Sequence, residues 1–178
     1  IRDRDAVILE DSPERVSAKF SVRTTRTPFW IEKIVTLNID SPILTVTDTL
    51  TNEAEEVAEA QWGQHVALGA PFLTSNCRLD MAQADHFVPA GGGNRLMDNH
   101  TGTWPNAIDP NSRDVDLTKF PPKSDRTQDY SVFKNQKEGW YAVTNPDIGI
   151  GFGLSYPVKI FQYLWYWQVF GGGSGYPW

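Results

Sequence analysis

Apolar and polar residues alternate along much of this chain. From Val16 to Arg23, the residues Val16, Ala18, Phe20 and Val22 point one way, and Ser17, Lys19, Ser21 and Arg23 point the other. A period of two marks a half-buried strand. Phe29 to Ile39 reads the same way, with Ile31, Val35, Leu37 and Ile39 on one side. Ser41-Pro42 is a turn signal, and the Thr-, Val- and Ile-rich run from Ile43 to Leu50 is a third strand. Asn52 opens the next turn, and Val57 to Val66 is expected to be a fourth strand. Short connections between such runs predict consecutive antiparallel pairing. The nearest helix candidate is Asn52 to Ala60, rich in Glu and Ala, but the alternation from Val57 onward argues against it.

The middle of the chain breaks this rhythm. Residues from about 89 to 129 carry Gly91-Gly92-Gly93, several Asn and Asp, and repeated Pro, with little apolar periodicity. They are expected to form a long loop, either a lid over a sheet or an insertion. Short strands follow at Ser131 to Phe133, Gly139 to Val143 and Ile148 to Leu154, the last two joined by a hairpin turn at Asn145-Pro146-Asp147. Ile160 to Phe170 closes the series as a strongly aromatic strand, broken by Gly171-Gly172-Gly173. No repeat and no clean boundary interrupts the pattern. The expected architecture is all-β, a single β-sandwich domain over residues 1–178.

Composition narrows the function classes. The 178 residues are 40% hydrophobic and 21% charged, as in a globular protein rather than a disordered one. The net charge is −6 without any Lys/Arg cluster, which argues against a nucleic-acid partner and against a basic membrane-surface segment. No apolar run reaches transmembrane length, and no signal peptide opens the chain. Cys77 is the only cysteine, which rules out an intrachain disulfide and a thiolate zinc site. It suits a reducing compartment, so a cytoplasmic location is expected. The chain starts at Ile1 rather than Met and stops at Trp178, and it reads as part of a longer protein.

The most informative stretch runs from Trp62-Gly63-Gln64-His65 to Pro71-Phe72-Leu73. If it is a strand, His65 shares a polar face with Glu59 and Gln61, where a neutral imidazole can donate or accept a proton near neutral pH. An ordinary turn histidine is the competing reading. Trp165 and Trp167 share one face of the aromatic strand with Phe161 and Tyr163, and core burial is expected for that face. Gln162, Tyr166 and Gln168 share the other, and amides and phenols there would suit sugar hydroxyls. Seven Trp, six Tyr and nine Phe also fit a ligand with apolar C–H faces and hydroxyl edges. His86 and His100, with Asp80 or Asp85, have no metal-ligand spacing, so neither a metal nor a cofactor is expected. The two triple-glycine runs lack the Lys-Ser/Thr of a phosphate loop, and no Gly-x-Ser-x-Gly occurs.

The run from Ile34 to Leu73, with Thr51-Asn52-Glu53-Ala54-Glu55-Glu56 and then Gln64-His65-Val66-Ala67-Leu68-Gly69, resembles the galactose mutarotase-like (aldose 1-epimerase) superfamily. So does the aromatic end, Leu164-Trp165-Tyr166-Trp167-Gln168 followed by Gly172-Gly173 and Tyr176-Pro177-Trp178. The resemblance implies an antiparallel β-supersandwich whose concave face binds a small sugar. It implies acid/base interconversion of sugar anomers without metal or cofactor, with His65 as general acid on the ring oxygen. Gln61, Gln64, Trp165 and Gln168 would then contact the sugar. The family's general base is a glutamate in a strand after the aromatic end, and no Asp or Glu follows Asp147 in this sequence. The histidine stands in Gln-His-Val-Ala rather than the Asn-His-x-Tyr-Phe of the best-known epimerases. Two other functions fit the same pattern: a non-catalytic sugar-binding or regulatory module, and the β-sandwich part of a carbohydrate lyase or hydrolase.

Overall fold

The computed structural model describes residues 5–171. It is almost wholly β, built from antiparallel sheets, and its chain contacts divide it into two compact units, Ile1–Gln61 and Trp62–Trp178. The sequence pattern had suggested one domain across the whole length.

The first unit is an antiparallel meander of β1 (Asp5–Asp11), β2 (Arg15–Arg23), β3 (Phe29–Asn38) and β4 (Leu44–Asn52), paired in chain order. Alternation decides its two faces. The register sets Val16 beside Leu37 and Leu44, and Ala18 beside Val35 and Val46, so one face is largely apolar, interrupted in the Phe20 row by the Lys33–Asp48 ion pair at 2.7 Å. Val16, Phe20, Leu37, Leu44 and Val46 on that face are exposed. The other face is polar: Ser17 Oγ hydrogen-bonds Thr36 Oγ1 at 3.0 Å, and Lys19 pairs with Glu32 at 3.0 Å. Strand β1, which carries an irregularity between Ile8 and Glu10, was not anticipated from the pattern.

The second unit holds two principal sheets. One has the order β13-β10-β6-β7, from β6 (Asp85–Phe87), β7 (Thr101–Thr103), β10 (Gln128–Lys134) and β13 (Leu164–Val169). The other has the order β12-β11-β5, from β5 (Arg78–Met81), β11 (Trp140–Asn145) and β12 (Ile150–Ser155). Met81 of β5 and Tyr141 of β11 pack in one cluster with Phe133 of β10 and with Leu164 and Tyr166 of β13, so the two sheets share a core. Phe133 is fully buried at its centre, against His86, Trp104 and Tyr166. Between β11 and β12 the expected hairpin is present; the Asn145 side chain accepts the Asp147 N–H at 2.8 Å, and Gly149 takes a φ of +66°.

Three expectations are corrected. Val57 to Val66 forms no strand: β4 ends at Asn52 and the chain is irregular through Gly69. Alternation alone does not make a strand, because backbone donors and acceptors also need a neighbouring ladder, and none is paired to this segment. The stretch 89–129 is not an open loop. It contains β7, β8 (Asn106–Ile108), β9 (Asp114–Asp116) and a 3-10 turn at Lys123–Asp125, and its Leu96, Ala107 and Leu117 lie in the core. Its apolar residues are too widely spaced to show a period, yet they anchor the segment. The final strand is shorter than expected and its faces are reversed. Trp165 and Trp167 are 62% and 50% exposed, whereas Gln168 is buried. Phe161, Gln162 and Tyr163 precede the strand, and the inward parity belongs to Leu164, Tyr166, Gln168 and Phe170. The residues Gly172, Gly173, Tyr176, Pro177 and Trp178 lie outside the described part.

Candidate functional site

The inward positions of β10 create an unusual polar strip inside the second unit. Strands place alternate residues on one face, and here Thr127 (just before the strand), Asp129, Ser131 and Phe133 are all buried. The register sets Asp129 opposite Gln168 and Ser131 opposite Tyr166. The side chains exploit that pairing. Gln168 Nε2 donates a short hydrogen bond to Asp129 Oδ2, and Tyr166 O–H donates to Gln168 Oε1 at 2.6 Å. Arg95, from the segment expected to be a loop, donates Nη1–H to Asp129 Oδ2 at 3.0 Å.

This array is incompletely satisfied. Asp129 Oδ1, Ser131 Oγ and Thr127 Oγ1 are buried without a hydrogen-bond partner. Unpaired buried polar atoms are costly and mark places where a water or a ligand hydroxyl would be bound. Burial pushes the Asp129 carboxyl above the ordinary range, against the pull of the Arg95 guanidinium and the Gln168 amide. Burial also pushes the Tyr166 phenol up, which keeps it a hydrogen-bond donor.

A cavity of about 190 Å³ lies beside the array, lined among others by Leu79, Tyr141, Val143, Tyr166 and Gln168. It runs along β13, the edge strand of its sheet, and therefore borders residues of both parities, Trp165 and Trp167 included. Val66 and Leu68 of the irregular segment close another side. At this size it lies below the ~300 Å³ at which drug-sized clefts begin, and it suits one small molecule.

The sequence-derived candidates divide accordingly. Gln168 lies at the centre of the array, and Trp165 borders the cavity, although its side chain is on the strand face opposite to Gln168. His65 and Gln64 are exposed and immediately precede the cavity-lining Val66. Gln61 is exposed and is the last residue of the first unit. Reading the sequence missed Asp129 and Arg95. The polar alternation of Thr127, Asp129 and Ser131 is the signal that was available, but such alternation ordinarily denotes a solvent-facing side.

His86 and His100 do come together, with ring centroids 6.2 Å apart, and His86 Nε2 lies 2.9 Å from the Asn106 carbonyl oxygen. Gly102, paired with His86 across the ladder, leaves room for the ring; a Cβ there would sit 2.5 Å from His86 Nε2. Burial pulls the His86 pKa down. Among the described residues no three His, Cys, Asp or Glu side chains gather as a metal site, and no helix is long and apolar enough to cross a membrane. Comparison with known protein families, with curated proteins and with solved structures finds no match to this chain.

Proposed function

We propose that the chain is the sugar-binding part of an aldose 1-epimerase-like isomerase of the galactose mutarotase-like superfamily, acting on a small sugar in the cytoplasm. The observation that carries this reading is the Asp129–Gln168–Tyr166–Arg95 array beside a cavity of single-ring size. A sugar offers several hydroxyls, each both donor and acceptor. The Gln168 amide and the Tyr166 phenol are the array's groups at the cavity lining, and the apolar walls Leu79 and Val143 match a ring's C–H face. In this reading Gln168, which with Tyr166 brings the array to the cavity lining, holds a hydroxyl, and Asp129 orients the Gln168 amide from behind. His65, next to Val66 at the cavity wall, gives a proton to the ring oxygen, with Gln64 beside it and Trp165 at the rim. As the ring oxygen takes that proton, the C1 hydroxyl proton passes to solvent water and the C1–ring-oxygen bond breaks. Rotation of the C1 aldehyde and reclosure, with water returning a proton to O1 and the ring oxygen returning its own to His65, then exchange the anomers without metal or cofactor.

One observation favours the alternative of a binding module without catalysis. Among the described residues no hydrogen bond orients the His65 ring, whereas a general acid is ordinarily held by a partner. The experiment is anomer interconversion of fresh α-glucose and α-galactose, followed by polarimetry, with wild-type protein and His65→Asn. Acceleration that the substitution removes supports the isomerase. Binding of either sugar by calorimetry without acceleration supports the module. Absence of both refutes a site for these sugars.

A further inference from the structure

The outward face of β13 carries an aromatic surface separate from the inner array. Trp165 and Trp167 are two residues apart on one strand, hence about 7 Å apart along it, and both are exposed. Tryptophan is highly buried on average, so two exposed neighbours on a regular strand call for an explanation. The register extends the surface inward: Trp165 lies opposite Val132, which lies opposite Phe87, and Trp167 lies opposite Tyr130. Tyr130 meets Trp165 edge-on, with centroids 6.3 Å apart at 81°, which fixes the indole's orientation. Polar groups rim the patch. Thr101 ends the Trp165 row, and Lys134 stands opposite Asp85 in the next row.

The size of the patch discriminates between occupants. At 62% and 50% exposure, Trp165 and Trp167 present on the order of 250–300 Å² of accessible surface between them. A stable protein interface needs about 800 Å² on each partner, so the indole pair falls well short of what a second copy of the chain or another folded protein would need. Flat aromatic rings with hydrogen-bonding neighbours instead match a pyranose, whose axial C–H groups stack on the rings while equatorial hydroxyls reach the rim. The platform lies on an edge strand, which pairs with no further strand among the described residues. We propose that Trp165 and Trp167, the former braced edge-on by Tyr130, form a second carbohydrate site, a stacking platform for consecutive pyranose units of an oligosaccharide. It shares Trp165 and Trp167 with the border of the inner cavity but uses their outward faces.

The test is titration of the protein with cellohexaose, xylohexaose and maltohexaose, read by tryptophan fluorescence and calorimetry. At least one hexaose is expected to bind, with an association constant reduced tenfold or more in Trp165→Ala and in Trp167→Ala. Trp165→Phe, which keeps a flat ring, should lose only a few-fold. Arg113→Ala, between β8 and β9 and outside both sites, should bind the hexaose unchanged. Both tryptophans are exposed, and far-UV circular dichroism verifies that the variants are folded. The proposal is overturned if none of the three hexaoses binds, or if the double alanine variant binds as well as wild type. Sedimentation showing a dimer that the alanine variants abolish would also overturn it and reassign the patch to self-association.

Discussion

Replacing Asp129 by Asn tests the electrostatics of the inner array. The side chains are nearly isosteric, and the Asn carbonyl can still accept from Arg95 and Gln168, so the substitution isolates the charge. Two effects oppose each other. Losing the carboxylate removes the counter-ion of Arg95, and breaking a buried pair costs about 3–5 kcal/mol. Yet burial holds the Asp129 carboxyl above its ordinary range despite Arg95, so desolvation of the anion outweighs the attraction it gains. The sign follows from linkage. With the folded-state pKa raised, the native protein retains a proton that the unfolded chain has released, so the Asp129 contribution to stability falls as pH rises from about 4 through the folded pKa. Each unit of that elevation costs about 1.4 kcal/mol at neutral pH. The difference in unfolding free energy, Asp129→Asn minus wild type, should therefore shift in favour of the variant between pH 4 and pH 8. Urea denaturation followed by tryptophan fluorescence measures it, and subtraction cancels the other carboxylates, including Asp109 and Asp116, whose partners draw their pKa values down. A difference that is flat with pH, or that moves toward wild type, would refute the reasoning.

Two further outcomes concern the core. The His86 pKa lies below its ordinary value, so its contribution is fully present above about pH 6.5 and is lost as pH falls through that range; His86→Asn should flatten this acid limb in denaturation series from pH 7.5 to pH 5. Phe133→Ala, which empties the fully buried centre between the two sheets, should cost about 3–5 kcal/mol of unfolding free energy in the same assay.

The first unit was largely legible from the pattern. Its strands from Arg15 to Asn52 declare themselves through strict alternation, and short turns leave few ways to pair them. Much of the second unit was hidden, for identifiable reasons. The strands β7, β8 and β9 are three residues each, too short for a period to register. Both parities of β13 are aromatic, so Gln168 was the natural choice for an outward residue; only its cross-strand partner Asp129 shows why an amide lies inside. Arg95 gave no signal at all, because its role depends on a contact with Asp129 that sequence distance conceals. Between the units, Val57 to Val66 has the rhythm of a strand without the neighbour that would make it one.

The order of pairing also bears on how the chain is made. The first four strands join in sequence, each finding its partner as soon as the next turn is synthesised, and local pairing of this kind folds fast. In the second unit β6 has a near partner in β7, but β5 must wait for β11 and the second edge of β6 for β10, so these partners are separated by much of the unit. The last to be made, β13, brings Gln168 to Asp129. Without that strand the carboxylate lacks the Gln168 amide, so completion of the polar interior coincides with completion of the sheet.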